Sequence, residues 1–251
     1  MNPKLFAKML RQYQDRLARA GRPVAEDQPI PSGISDKIEG NAITLRVQGP
    51  LDGGWLGVSA ADIIKRLDAA GATEIMLLID SPGGFVDEGM SLYTDLRQRA
   101  KDGANVRTES RGLVASAAIM PYLAGDTRTV PEGSLFMIHN SWSWLFAIGD
   151  YQDLQKESTA VLNGLVATTK LIRNIIADRT NTPVDEVKAQ MDAETWFTAD
   201  EAVEARYSNE VVEPQPDDDD DPNEVSDAIM KQYEASQERL VAAVVRRFGG
   251  V

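Results

Sequence analysis

Between residues 43 and 110 the chain passes twice from a short apolar stretch to a longer one of helical spacing, and that alternation narrows the possible folds more than any other feature. In "NAITLRVQGPLDGG" the residues Ile43, Leu45 and Val47 alternate with polar neighbours, the period of a half-buried strand. "SAADIIKRLDAAG" follows, where Ser59 suits a helix N-cap, Asp62 an acid in the first turn and Gly71 the stop. "EIMLLID" is an unbroken apolar run, as expected of a strand covered on both faces. "FVDEGMSLYTDLRQRAKDG" returns to helical spacing and "NVRTES" reads as a further strand. Strand, helix, strand, helix, strand predicts a right-handed, parallel α/β core.

The segments around this core have a different character. Residues 3–20 space Leu5, Phe6, Met9, Leu10, Tyr13 and Leu17 by three and four, which predicts an amphipathic helix ended by Gly21. A proline-containing connector then reaches residue 40. Residues 149–179 predict one long helix with Leu154, Val161, Leu162, Leu165, Leu171, Ile172, Ile175 and Ile176 on roughly one side. That stripe is core if the helix packs down and an oligomer interface if it projects. "NTPVDEVKAQM" opens another helix, with Thr182 as N-cap and Pro183 at the first helical position. After residue 213, "EPQPDDDDDPNE" combines proline with an acidic block that repels itself and stays extended. Val225, Ile229, Tyr233, Leu240 and Val244 then restore helical spacing. The expected organisation is an arm and connector (1–40), a main domain (41–213), an acidic linker (214–224) and a helical tail (225–251).

Composition removes whole classes of chemistry. With no cysteine there is no disulfide, thiolate nucleophile or Cys-based metal site, and a single histidine, His139, precludes a multi-histidine metal centre, so neither metal nor other cofactor is expected. A net charge of −13 repels phosphate backbones and anionic lipids, and no basic patch offsets it. Nucleic acid and membranes are therefore not expected as partners. No run approaches the length of a membrane span and no secretory leader pattern opens the chain, so the expectation is a soluble, cytoplasmic protein.

Within those limits the most economical chemistry is a serine activated by His139 and oriented by a carboxylate. A serine hydroxyl is barely nucleophilic near neutral pH, and imidazole is the side chain whose ordinary pKa suits the removal of its proton. Ser116 stands out in "RGLVASAAIMPYLAGDT", where Ala115, Ala117 and Ala118 leave room for a substrate carbonyl beside the free N–H groups of a helix start. In "IDSPGGFVDEG", Gly83 and Gly84 close a strand and can present backbone N–H groups with no Cβ in the way.

Taken together, "GPLDGG", "LLIDSPGGFVDEGMSLYTDL", "GLVASAAIMPYLAGDTRTVPEGSLFMIHN" and "ETWFTADEAVEA" resemble the ClpP family of serine peptidases in order, spacing and chemistry, over about two-thirds of the chain. The resemblance implies a ClpP/crotonase-like spiral of βαβ units with a projecting handle helix in the place of residues 149–179. It implies a ring-forming homo-oligomer acting on protein or peptide substrates. It also implies Ser116 as nucleophile, His139 as base, and the backbone N–H groups of Gly83 and Ala117 as the oxyanion hole. For the third member it puts Glu194 where the family usually has Asp, with Asp192 as the alternative two residues earlier. Two departures stand out. Trp142, Trp144, Leu145 and Phe146 replace a more polar connection, and Arg206 occupies a position where the family usually carries Gly.

The arm and the acidic, helix-ended tail resemble instead the ClpP-related head maturation proteases of tailed bacteriophages, which cleave scaffold and capsid proteins and sometimes themselves. On that reading the protease would work inside an immature capsid, and "KIEG" or residues 213–223 would be exposed sites for self-cleavage. The alternatives are a Clp proteolytic subunit fed by an ATP-dependent AAA+ unfoldase, a crotonase-like acyl-CoA enzyme, and an inactive scaffold that keeps the fold.

Overall fold

In residues 42–48 every second side chain turns to the same side, and the strand they form, β2 (Ala42–Gln48), buries Ile43, Leu45 and Val47 completely. A computed structural model describes residues 33–54, 57–141 and 150–213. The expected arm helix, the Trp142–Phe146 cluster, the acidic linker and the helical tail all lie outside those residues. From β2 the chain enters α1 (Ala60–Ala70), where Ser59 Oγ accepts from the Ala61 N–H and Gly71 ends the helix in the left-handed conformation. It continues through β3 (Glu74–Ser81), α2 (Val86–Lys101) and β4 (Asn105–Ala115). Both successive pairings, β2 with β3 and β3 with β4, are parallel, as the alternation predicts.

The core lies on one side of this sheet. Ile75, Leu77 and Ile79 of β3 face Ile63 and Leu67 of α1 and Leu92 and Leu96 of α2, all of them buried. Met76 and Leu78, on the opposite face of β3, are only half-buried. The apolar run "EIMLLID" is thus not covered on both faces, and a strand with one half-covered face carries the same continuous pattern.

Beyond β4 a turn of 3₁₀ helix (Ser116–Ala118) leads into α3 (Ile119–Ala124), all of whose residues are buried. β5 (Thr127–Pro131), β6 (Leu135–Ile138), α4 (Tyr151–Thr180), α5 (Val184–Asp192), β7 (Thr195–Thr198), α6 (Ala199–Glu204) and β8 (Glu210–Val212) complete the order. β4 is shared between neighbours: Arg107 to Glu109 pair with β5, whereas Leu113 to Ala115 pair with β6. β8 extends the sheet beside β5, and β7 runs antiparallel to β6. This is a mixed α/β architecture, and its parallel β2–β3–β4 core is the one that the alternation predicts.

Three further expectations need correction. Residues 33–40, assigned to the connector, contain β1 (Gly33–Glu39), paired antiparallel with the whole of β2. "KIEG" is therefore a strand end and its turn, not loose chain. Pro183 is the N-cap of α5 and not its first helical residue: its ψ of 135° is extended and its carbonyl accepts the first bonds, from the N–H groups of Glu186 and Val187. Finally, "NVRTES" is only the first half of an 11-residue strand.

The long helix has two parts. At its base Ile176 and Ala177 join the core. Three arginines fasten that end to main-chain carbonyls. Arg179 donates to those of Leu123 and Gly125, Arg206 to those of Thr180 and Asn181, and the buried Arg128 to those of Tyr207, Gly125, Arg179 and Arg206. Arg206 takes φ 62°, so the left-handed turn that usually asks for glycine is kept here by a side chain with its own anchor. Further out, Leu162, Val166 and Leu171 are exposed, so that part of the stripe is not core. Among the described residues no helix is long and apolar enough to cross a membrane.

Candidate active site

Strand register alone brings together three groups that are far apart in sequence. Ala115, the last residue of β4, pairs with Met137 of β6, so the two strands leave the sheet side by side, one into Ser116 and the other through Ile138 into His139. Ile138 in turn pairs with Thr195, the first residue of β7, and Glu194 immediately precedes it. Ser116, His139 and Glu194 thus sit at neighbouring strand ends.

At Ser116 the backbone reverses abruptly. Ala115 is extended, with φ −129° and ψ 152°, while Ser116 has φ 54°, a conformation uncommon for a residue with a side chain. Such strain collects at functional sites because the surroundings must hold it in place. It lifts the hydroxyl out of the strand, and Ser116 Oγ lies 2.6 Å from His139 Nε2. Both residues are partly buried. For the ring to take a proton from the hydroxyl, Nε2 must be the acceptor, with the other proton on Nδ1.

Burial is the main influence on His139. It disfavours the imidazolium and pulls the pKa below the ordinary value, while the negative charge of Glu194 pushes the other way. Glu194 is exposed and adopts φ 50° in the link between α5 and β7, so its backbone is turned by a second strained residue. Asp192 is directed elsewhere. Its Oδ1 accepts from Asn140 Nδ2 at 2.9 Å and its Oδ2 from Lys188 Nζ at 2.5 Å, and these two bonds hold its carboxyl below the usual range. Of the two candidate carboxylates, Glu194 is the one whose charge acts on the ring, while Asp192 is bonded to Asn140 and Lys188.

The glycine turn abuts the serine from the other side. A Cβ on Gly83 would lie 2.5 Å from the Ala115 carbonyl oxygen, 2.7 Å from Ser116 Cβ and 2.8 Å from the Ala117 nitrogen. α2 comes equally close at Gly89, where a Cβ would lie 2.4 Å from the Ala117 carbonyl oxygen. Ala117 follows the elbow within the first helical turn, where backbone N–H groups have no helical acceptor before them. The Gly83 N–H donates to Ser81 Oγ at 3.1 Å. The Gly83 carbonyl and the Phe85 N–H both bond Leu51, so the intervening N–H of Gly84 points away from Leu51. The sequence offers the N–H groups of both Gly83 and Gly84 and the resemblance implies Gly83; the pairing of Leu51 with the turn, invisible in the sequence, leaves the Gly84 N–H facing away from its strand partner.

Known proteins are similar to this chain in sequence and in fold. The family model for Clp protease matches residues 58–215. The ATP-dependent Clp protease proteolytic subunit 2 of Thermobifida fusca is 31% identical over 147 residues, which cover 57% of this chain and 68% of that protein. Proteolytic subunit 1 of Protochlamydia amoebophila is 28% identical over 195 residues, 73% of this chain and 88% of that one. Among solved structures, a point mutant of ClpP1 from Listeria monocytogenes shares the fold with a TM-score of 0.57 at 22% identity, covering 68% of this chain and 92% of that one.

Proposed function

The chain belongs to the Clp protease family, and from that premise we propose that it is a serine endopeptidase in which Ser116 attacks the scissile carbonyl and His139 is the base. One observation carries the reading: the 2.6 Å approach of Ser116 Oγ to the only imidazole in the chain. As the Oγ–C bond forms, His139 Nε2 takes the hydroxyl proton, and the carbonyl oxygen becomes an oxyanion. The Ala117 N–H and an N–H of the Gly83–Gly84 turn receive it. Gly83 can serve if it leaves Ser81 Oγ; Gly84 already faces away from its strand partner. The imidazolium then protonates the leaving amine as the C–N bond breaks, and water repeats the sequence on the acyl-enzyme. Glu194, whose charge already favours the protonated ring, stabilises the imidazolium.

The natural substrates are proteins, reached by an oligomer built through the exposed outer part of α4. The names of the relatives favour a proteolytic subunit that works with an ATP-dependent unfoldase. The acidic run "DDDDD" and the amphipathic segments at both ends of the chain favour a second setting, head maturation in a tailed bacteriophage, with scaffold or capsid proteins as substrates. A fluorophosphonate probe tests the chemistry. It is expected to label Ser116 of the full chain and not the Ser116→Ala variant, and no labelling of the wild type would leave only the crotonase-like or inactive-scaffold readings. Cleavage of scaffold protein by the purified enzyme alone would support the capsid setting, and cleavage that requires an unfoldase and ATP would support the other.

A further inference from the structure

β3 and β4 do not keep step all the way to the site. Ile79 pairs with Ser110, yet Ser81 pairs with Val114, so two residues of β3 are matched against four of β4. β4 therefore bulges at Arg111–Leu113, just before the strand delivers Ser116. Bulges of this kind re-aim the residues that follow them. A bulge also strands backbone N–H groups that the neighbouring strand would otherwise accept, and in a buried place each needs a substitute partner.

Asp80 is that substitute. It lies between the two pairings on β3, is 5% exposed, and its Oδ1 accepts from the Leu113 N–H at 2.8 Å. Within the bulge itself the Gly112 N–H turns onto Ser110 Oγ at 3.2 Å. The next residue on β3, Ser81, is fully buried and accepts the Gly83 N–H. One short segment, Asp80–Ser81, thus holds both sides of the cleft: Asp80 fixes how far β4 has advanced when it reaches Ser116, and Ser81 fixes the glycine turn pressed against it.

We infer that Asp80 is a positioning residue for catalysis, whose carboxylate clamps the β4 bulge at Leu113 and so sets the height of Ser116 against the Gly83–Gly84 turn. The inference rests on the peptidase reading above. Without the clamp the bulge slips, and the hydroxyl loses alignment with both His139 and the oxyanion donors. A misplacement of about 1 Å in such a site costs on the order of 10²-fold in rate. Binding of a peptide along the cleft does not depend on this alignment, so the loss falls on kcat and not on KM.

The experiment compares full-length wild type, Asp80→Ala and Asp80→Asn in the rate of fluorophosphonate labelling, in kcat and KM for a fluorogenic peptide, and in thermal unfolding. Asp80→Ala is expected to label about 10²-fold more slowly and to lose kcat in the same proportion with little change in KM. Asp80→Asn keeps an acceptor for the Leu113 N–H and is expected to recover most of that loss. Equal kcat in wild type and Asp80→Ala, or equal damage from both substitutions, would overturn the inference. If the alanine variant does not fold, hydrogen exchange in the wild type decides: the Leu113 amide is expected to exchange slowly, and exchange at the rate of an open loop would refute the clamp. A wild type that the probe does not label at Ser116 would sink the peptidase reading itself, whereas labelling that is indifferent to Asp80 sinks only this one.

Discussion

Two glycines with nearly the same backbone offer a controlled test of how tightly the serine elbow is enclosed. Gly83 has φ 86° and Gly133, in the turn between β5 and β6, has φ 84°. Replacing either by alanine forces a Cβ into a left-handed conformation, at about 1–2 kcal/mol. Around Gly133 the new methyl meets nothing within 4 Å. At Gly83 it would lie 2.5 Å from the Ala115 oxygen, where ordinary contact begins at 3.4 Å, so the elbow must retreat by about 0.9 Å. That is close to the displacement that costs on the order of 10²-fold in rate. Gly133→Ala is therefore expected to lower the melting temperature by roughly 2–4 °C per kcal/mol and to leave peptide hydrolysis close to the wild type. Gly83→Ala is expected to lose kcat by about 10²-fold as well. Steady-state kinetics and thermal unfolding of the two variants, side by side, make the measurement. If Gly83→Ala were as active as Gly133→Ala, the packing of the glycine turn on Ser116 would have no part in catalysis.

Other consequences are as direct. His139 must be neutral to accept a proton, and burial holds its pKa below the ordinary value of about 6.5, so the acid limb of kcat/KM is expected below that pH. Glu194→Gln removes the charge that opposes this shift, which should move the limb to still lower pH while reducing kcat, on the order of 10²-fold or more. Asp192→Asn should leave the limb where it is. Arg128→Ala strips a donor from the carbonyls of Tyr207, Gly125, Arg179 and Arg206, and chemical denaturation should show a loss of at least about 3 kcal/mol.

What could be read from the sequence follows the physics of each element. α1 announces itself because Ser59 and Gly71 act locally, within a turn of the residues they cap. His139 is legible as a candidate because a chain with no cysteine and one histidine leaves little else to carry nucleophilic chemistry, and Ser116 because small residues crowd around it, whereas its 2.6 Å approach to the ring depends on strand pairing. β1 gave no signal because backbone pairing holds it and burial does not: from Ser35 to Glu39 its side chains are exposed, so there is no apolar alternation to see. The boundary of α5 was missed because proline fixes only φ, and Pro183 has the φ of a helix but the ψ of a strand. The bulge at Arg111–Leu113 and the direction of the Gly84 N–H depend on partners more than thirty residues away, which no local pattern encodes.

Because Ser116, His139 and Glu194 stand at the tips of β4, β6 and β7, the aim of each group depends on the count of residues along a ladder. Leu135 and Met137, only half-buried, can therefore change with less harm than the buried Phe136 and Ile138, yet one inserted residue there would swing the imidazole to the opposite face. Across descendants of this chain, the half-buried and exposed positions of those three strands should vary while the strand lengths stay frozen.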